Sequence, residues 1–357
     1  MKEPIKIVII FLVAAMLSVS GCTGMGPRKL TRDRFDYSTT VSDSWKSQML
    51  LNMVKTRYGD APVFLDVDSI ISQYEFEGSI DLIASWFSNP FSTSQEIGGH
   101  GKYADRPTIT YSPLTGERFA KSLMTPIPPV SILNIVQSGY RVDLVFRLGV
   151  QSINGVQNRY GGAARARNAD HEFYRLLDKL RRIQASGAIG MRIQQVDDKE
   201  AIVAVFRGKV DEATKADIAE VRKILGLDPD ASEFKVVYGL VAASNKEIAI
   251  LSRSMLQILI DLASNIDVPA AHVTENRVNP TLKDEAVEGV SVPPLIRINS
   301  SPQKPADAFV TVPYRDHWFW IDDRDLQSKG VFSFLMFIFT LTETAAKEAP
   351  LVTIPTR

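Results

Sequence analysis

Cysteine and histidine are scarce in this chain. Its 357 residues include one cysteine, Cys22, and four histidines. One cysteine excludes a disulfide within the chain. No two histidines stand four residues apart beside a carboxylate, so a zinc site would need ligands from distant segments. No glycine-rich nucleotide motif is present either. We therefore expect no metal site and no cofactor.

An excess of charge of one sign is also missing. The sequence has 41 Lys and Arg against 41 Asp and Glu, which gives a formal net charge of +0. Proteins that hold nucleic acid phosphates usually carry a basic excess or a basic face. The composition therefore argues against a nucleic acid partner. A content of 45% hydrophobic residues is ample for a packed core, and the length suggests about two domains.

No hydrophobic run is long enough to span a bilayer as a helix, which takes about 20 apolar residues. The two longest apolar stretches, 7–17 and 331–341, each have eleven residues. The second is apolar on nearly every side, which is typical of a helix buried in a protein core. We predict a core helix there.

The first apolar run belongs to an export signal. Lys2 and Lys6 form a basic start, and the small residues 19–21 lead into Cys22. A basic start, a short apolar core and a small-residue cleavage site are the parts of a secretory signal peptide. The segment 19–22 (Val-Ser-Gly-Cys) resembles the lipobox of bacterial lipoproteins.

The resemblance implies a location. It implies that residues 1–21 are removed as the signal peptide and that Cys22 carries diacylglycerol and a further acyl chain such as palmitate. Thr23 follows the cysteine. In the enterobacterial lipoproteins it resembles, an Asp at that position retains the protein in the inner membrane, so Thr23 favours the outer membrane. Two acyl chains already anchor a protein stably. We expect lipid anchorage to the outer membrane through Cys22, with the body in the periplasm.

The N-terminal part of the body is predicted to combine a helix with a β-hairpin. Residues 22–40 lack apolar periodicity and are expected to form a flexible tether, and residues 41–160 an N-terminal α+β subdomain. Within it, an amphipathic helix is expected from Ser42 to near Gly59. Strands near 74–82 and 108–111 are expected to form a hairpin with a long mobile tip at 88–101.

The central part, within a second predicted α+β subdomain at 161–357, shows the most regular pattern. Strand, helix, strand, strand, helix and strand are predicted in turn at 142–150, 173–183, 188–196, 201–207, 218–225 and 234–240. This is the order of a ferredoxin-like split βαβ unit. We expect an α+β fold in which an N-terminal helix and β-hairpin subdomain packs on a ferredoxin-like central part with C-terminal helices.

Three elements are predicted after the central unit. A single helix is expected over 248–262, and the segment 252–254 (Ser-Arg-Ser) within it is expected to be exposed. A proline-rich irregular connector is expected over 276–308. A strand at 318–321 then precedes the core helix.

Catalytic motifs are not evident. The densest acidic cluster, 322–325, lacks the pattern of a calcium loop, and we expect one Asp to cap the next helix while others pair with Arg315 or Arg324. Asp66 and Asp68 are two apart on a strand, and a solvated face is the expectation for them.

A basic, glycine-containing loop precedes the helix near 170. Arg159, Gly161, Gly162, Arg165 and Arg167 form it. Backbone amides at a helix N-terminus bind anions. No dinucleotide or P-loop pattern surrounds these glycines, so we expect a flexible surface turn, with an anion site as the alternative.

Three residues are candidates for contact with a protein partner. Trp318 and Trp320 would share one face of a strand, opposite Phe319, and large aromatic residues are common interface anchors. A core position is the alternative for them. His100 lies in the predicted hairpin tip, which is long enough to reach a partner.

The sequence thus favours a non-enzymatic role. We expect a membrane-anchored periplasmic lipoprotein that acts as a structural, scaffold or assembly component of the cell envelope, with an envelope protein as partner. Two alternatives stay open: a periplasmic hydrolase or transferase acting on an envelope polymer, because catalytic groups can be assembled in space, and a module that binds a small ligand.

Overall fold

A computed structural model describes most of the chain. The described residues are 26–71, 74–83, 96–105, 108–162, 166–196, 199–206, 210–282, 284–287 and 289–342. The signal segment and Cys22 lie outside them. The fold is mixed α+β, with nine helices and several small sheets in the described part of the chain. No helix among the described residues is both long and apolar enough to cross a membrane.

The first helix is longer than the sequence predicts. Helix α1 runs from Gly26 to Arg57, so residues 26–40 are helical where we expected irregular structure. Apolar spacing reveals only its second half, which is buried through residues such as Met49, Leu50 and Met53. Pro27 at the start suits the first turn of a helix, where its missing N–H is not needed.

Four strands after α1 form an arm of paired backbone, which we call the β-arm. They are β1 (Leu65–Ile71), β2 (Tyr74–Ile83), β3 (Glu96–Asp105) and β4 (Thr108–Pro113). β1 pairs with β4 and β2 pairs with β3, both antiparallel. From Ser69 onward β1 is paired with β4 in the same register in which β2 is paired with β3, so the second strand pair continues the first. Ten residues in each of β2 and β3 correspond to a length of about 33 Å.

The β-arm confirms part of the hairpin prediction. The strands at 74–82 and 108–111 are present, but β2 pairs with β3 and not with β4. Residues 96–101, which we expected in the tip, belong to β3. The rest of the predicted tip, residues 88–95, falls outside the described residues.

The predicted strand at 142–150 is wrong for most of its length. After the short α2 (Gly116–Phe119), a π-helical turn (Ala120–Met124) and α3 (Pro129–Gln137), the chain forms helix α4 (Val142–Gly149) and only then β5 (Val150–Ile153). The apolar residues of this segment satisfy both periods. Val142, Val145 and Phe146 recur at three- and four-residue spacing and are buried on one side of α4.

A six-stranded sheet forms the centre of the molecule. Its elements are β5, β6 (Val156–Gln157), α5 (His171–Ala185), β7 (Ile189–Val196), β8 (Lys199–Phe206), α6 (Glu212–Leu225), β9 (Glu233–Tyr238) and β10 (Glu247–Ser252). The predicted helices ending at Gly187 and Gly226 are confirmed, and both glycines have positive φ, 69° and 64°. The strands at 188–196, 201–207 and 234–240 are confirmed within about two residues.

The ferredoxin-like arrangement is not confirmed. The strand order is β6-β5-β10-β9-β8-β7. In a split βαβ unit the first strand lies between the third and the fourth. Here β10 separates β5 from β9, and β9 lies directly beside β8. The sequence pattern predicts a helix for the segment that forms β10, so the additional strand was not expected.

The predicted helix at 248–262 is two elements. β10 ends at Ser252, and α7 spans Met255–Ala263. Ser254 is the N-cap of α7: its side chain accepts from the Gln257 N–H, and the Gln257 side chain bonds back to the Ser254 backbone. This capping box fixes the start of the helix.

The C-terminal part covers the other side of the core. It comprises α8 (Ala270–Thr274), β11 (Glu285–Val287), β12 (Val290–Val292), β13 (Asn299–Ser301), β14 (Ala308–Tyr314), β15 (His317–Asp322) and α9 (Leu326–Thr342). The predicted strand at 318–321 and the core helix at 331–341 are confirmed. Among the described residues of the predicted connector at 276–308, the strands before β14 are the short β11 to β13.

One hydrophobic cluster unites these elements. α1 packs on α7, β14 and β15, and buried residues from both predicted subdomains belong to the same cluster. The boundary placed between residues 160 and 161 stays a prediction. The β-arm, by contrast, has no third strand on either side in the described part of the chain.

Candidate functional site

The predicted partner residues lie on two different elements. His100 is in β3, where its register partner is Ser79. Trp318 and Trp320 are in β15, the central strand of the sheet β13-β15-β14. Cys22, the expected site of lipid attachment, lies outside the described residues, so its acylation stays a prediction.

β15 alternates as predicted. Phe319 and Ile321 are fully buried, whereas Trp318 and Trp320 are half-buried on the other face. Lys304 Nζ lies 5.4 Å from the centre of the Trp318 ring, a cation–π distance. Trp320 Nε1 is buried and has no hydrogen-bond acceptor among the described residues. The tryptophans therefore form a half-covered surface, and Phe319 supplies the core.

Two histidines that are far apart in sequence meet beside a tyrosine. The Tyr58 hydroxyl and His272 Nδ1 form a buried hydrogen bond of 2.7 Å. The rings of His272 and His317 are 5.0 Å apart, edge to face. His317 Nδ1 is buried and has no hydrogen-bond partner among the described residues. Sequence spacing gave no signal for this cluster, because its three residues come from the turn after α1, from α8 and from β15.

Burial governs the protonation of this cluster. It raises the pKa of the Tyr58 hydroxyl, an effect that the nearby Arg57 and Arg315 partly oppose. It lowers the pKa of His272, and the nearby His317 lowers it further. A protonated phenol and a neutral imidazole make Tyr58 the donor and His272 the acceptor. Because both groups are buried, the pair is suited to join α1 to α8 rather than to transfer a proton to a substrate.

The segment Ser252–Ser254 is buried, and the prediction that it is exposed is wrong. Arg253 is only 1% exposed. Its Nη1 lies 3.0 Å from Asp261 Oδ2 and its Nη2 donates to the Arg159 carbonyl oxygen. A buried charge must be paired, and Asp261 supplies the opposite charge, although Arg253 Nε has no hydrogen-bond partner among the described residues.

The same network includes the basic, glycine-containing loop. The Gly161 N–H, a candidate anion donor, donates to Asp261 Oδ1 at 2.6 Å. Arg159 Nη2 donates to the side chains of Ser264 and Asn265. A Cβ on Gly161 would lie 2.0 Å from Ser264 Oγ, so the backbone approaches α7 too closely for a side chain. Gly161 and Gly162 are buried, so the expected surface turn is wrong at these two glycines, and Asp261 occupies the donor that an anion would need.

The remaining loop residues do not add to an anion site. Arg167 Nη2 donates to the Asn158 carbonyl oxygen. A Cβ on Gly162 would lie 2.5 Å from the Tyr160 ring. Arg165 lies outside the described residues.

The acidic cluster at 322–325 is structural. Asp325 accepts from the Ser328 N–H at 2.9 Å and from the Ser328 hydroxyl, so the predicted cap of α9 is confirmed. Asp323 pairs with Lys329 at 2.7 Å. The predicted pairing with Arg315 or Arg324 is wrong, because those arginines contact other carboxylates: Arg315 reaches Asp60 and Arg324 reaches Asp307.

Asp66 and Asp68 do not form a matched pair. Asp66 lies 3.8 Å from Arg118. The register of β1 shifts between Val67 and Ser69, which places a bulge at Asp68 and interrupts the alternation of the strand. No group of three or more His, Cys, Asp and Glu residues could hold a metal ion in the part of the chain that the structure describes.

Two of the cavities in the described part of the chain are relevant to stability and function. An apolar cavity of about 60 Å³ lies between the central sheet and its helices, lined by residues such as Phe146, Ala204 and Ile250. An open cavity of about 710 Å³ lies where the end of α1 meets α7 and the segment 279–282. The second has the volume of a small-molecule site.

Comparison of the chain with protein-family models, curated proteins and solved structures finds no match. The geometry and the sequence are therefore the basis for the functional proposals.

Proposed function

We propose that the protein is a lipid-anchored periplasmic lipoprotein that acts as a non-enzymatic scaffold or assembly component of the cell envelope. One observation carries the proposal. The β-arm presents paired strands whose outer edges meet no third strand among the described residues. An open strand edge offers unpaired N–H and C=O groups to another chain.

The exposed side chains of the β-arm support the same role. Leu65, Ile109 and Tyr111 on β1 and β4 are 42%, 41% and 52% exposed. A two-stranded ribbon is marginally stable by itself in water. A ribbon with apolar side chains in solvent gains most from a partner that covers them, and such surfaces commonly mark interaction sites.

The arrangement of titratable groups gives less support to the hydrolase alternative. The histidine with a lowered pKa, His272, is buried against Tyr58 and His317. A general acid or base must come within hydrogen-bonding distance of the substrate. The cavity of about 710 Å³ supports a ligand site instead.

Shortening the β-arm tests the proposal. In the variant, residues 72–107 are replaced by Asn-Gly, which closes β1 onto β4 with a two-residue hairpin turn. After crosslinking in intact cells, the variant should lose a protein that copurifies with the natural chain, while its thermal unfolding stays nearly the same. The matched control is Leu326→Ser, which removes a 79% exposed apolar side chain from α9. An unchanged set of crosslinked proteins in the shortened variant would refute the proposed role of the β-arm.

The anchor is tested independently. Cys22→Ala should shift the protein from the membrane to the soluble fraction. Mass spectrometry of the N-terminal peptide of the natural protein should show an acylated cysteine as its first residue. An unmodified Cys22 would rule out the lipoprotein part of the proposal.

A further inference from the structure

The open cavity of about 710 Å³ has mostly apolar walls. They come from α7 and from the connector that follows it, and include Leu256, Ile260, Ala263, Pro280 and Leu282. Cavities of this volume with apolar walls and a few polar groups are the usual form of small-molecule sites. The polar groups of this cavity therefore decide the kind of ligand.

Arg57 is the cationic residue of the cavity lining. Its Nη2 donates to the Asn279 carbonyl oxygen at 2.6 Å. Its Nε is buried and has no acceptor in the described part of the chain. Burial lowers the pKa of Arg57, and no described carboxylate acts on it in the opposite direction. A partly buried guanidinium is normally paired with an anion, and the described residues supply none.

The charges around the cavity select the kind of anion. Asp60 also lines it and is already engaged, because it accepts from the Tyr314 hydroxyl and contacts Arg315 at 3.3 Å. Its negative charge disfavours a dianion such as phosphate. One guanidinium fork matches one carboxylate, with which it forms paired hydrogen bonds.

The geometry points to a binding site for a monocarboxylate with an apolar tail. Arg57 would hold the carboxylate, and the tail would lie against Leu256, Ile260 and Leu282. Such a group can come from a fatty acid or from the C-terminus of an apolar peptide. The site uses no residue of the β-arm and goes beyond the proposed scaffold function.

Calorimetric titration of the full chain in dodecyl maltoside tests the site. The probes are octanoate, octan-1-ol, acetate, N-acetyl-Leu-Leu and the amide of that peptide. Octanoate or the free-acid peptide should bind saturably, and the uncharged counterpart of each and acetate should bind about tenfold more weakly or worse. Stronger binding of octanoate identifies a fatty acid as the ligand. Stronger binding of the peptide identifies a chain terminus.

Variants locate the binding. Arg57→Gln should weaken the better carboxylate probe by about tenfold or more. Arg57→Lys keeps the charge but not the fork, so its affinity for that probe should lie between those of Arg57→Gln and the natural chain. The control Arg182→Gln removes an exposed arginine of α5 that does not line the cavity, and this variant should bind the probe as the natural chain does. Uptake of the probes by micelles is common to all variants.

Thermal unfolding of each variant distinguishes loss of the site from loss of the fold. If Arg57→Gln is unfolded, Arg57→Lys and the cavity-wall variant Leu282→Ser decide the matter, because both should weaken binding in a folded chain. Equal affinity of folded Arg57 variants and the natural chain overturns the inference. Absence of saturable binding by both octanoate and the free-acid peptide overturns it as well.

Discussion

The Tyr58 hydroxyl and His272 Nδ1 are 2.7 Å apart in a buried hydrogen bond, although 214 positions separate them in the chain. The bond joins the turn that follows α1 to α8. His317 stacks edge to face on the other side of His272. A proton on His272 would remove the acceptor of this bond and place a charge beside His317, Arg277 and Arg315.

Acidification should therefore weaken the fold. Because the folded pKa of His272 lies below its ordinary value, the unfolded chain binds the proton more readily. The stability due to neutral His272 is present above about pH 6.5 and is lost as the pH falls through that value towards the lower folded pKa. Urea unfolding at pH 7.5 and 5.5 should show a lower free energy of unfolding at pH 5.5.

Replacement of each histidine separates this effect from general acid sensitivity. His272→Gln should lower the stability at pH 7.5 and reduce its change between the two pH values. His171→Gln, an exposed residue at the start of α5, should leave that change as it is. Asp143 and Asp325 have lowered pKa values, so their contribution is lost only at more acidic pH. The same pH dependence in His272→Gln and the natural chain would show that His272 is not responsible.

Removal of either partner of the buried Arg253–Asp261 pair should be severe. Arg253→Ala leaves Asp261 as an uncompensated buried charge, and the expected loss is about 3–5 kcal/mol of unfolding free energy. Asp261→Ala should cost a similar amount and also free the Gly161 N–H. The double variant should cost clearly less than the sum, because each single variant already breaks the same network.

An exposed ion pair provides the comparison. Arg182 and Asp178 are 2.7 Å apart on α5, with side chains 56% and 39% exposed. Arg182→Ala should cost less than about 0.5 kcal/mol. Chemical denaturation measures the free energy of unfolding of the buried-pair and the exposed-pair variants. Equal losses for Arg253→Ala and Arg182→Ala would contradict a structural role for the buried pair.

Filling the apolar cavity should stabilise the protein. Ala204 on β8 lines the cavity of about 60 Å³. Ala204→Val adds apolar volume there and places a β-branched residue in a strand, so a gain of about 1 kcal/mol is expected. Ala249→Val is the matched change on β10, where the side chain is fully buried and does not line the cavity. Overpacking there should cost about 1–3 kcal/mol. Opposite signs for the two variants in urea unfolding would confirm the cavity, and destabilisation by both would contradict it.

Elements with one clear period and a glycine stop could be predicted from the sequence. The helices ending before Gly187 and Gly226 and the strands around them are examples, since local burial and local turn chemistry agree there. The segment 142–150 satisfied two periods at once, and packing on α5 and β5 decided for a helix over most of it. Residues 247–263 are apolar across two elements, so their pattern could not reveal the turn at Arg253.

The site residues were harder to predict because they act through contacts between distant segments. The sequence predicts Arg253 as an exposed helical residue. In the fold it lies between β10 and α7, where it contacts Asp261 and Arg159. Tyr58 and His317 have no sequence motif in common. Arg57 is a candidate only because the fold pairs it with no carboxylate among the described residues. None of these relationships is carried by spacing along the chain.

Because α1 is unbroken, the distance of its N-terminal end from the core and the rotation of that end about the helix axis change together. Its 32 residues correspond to a rod about 48 Å long. Most side chains from residue 34 to residue 44 are exposed, so this stretch is not held by the core. Each residue inserted there would move the preceding chain by about 1.5 Å and turn it by about 100° about the helix axis. The side of the helix axis on which the preceding chain lies thus depends on the number of residues, so an insertion of seven would nearly restore it and an insertion of two would reverse it.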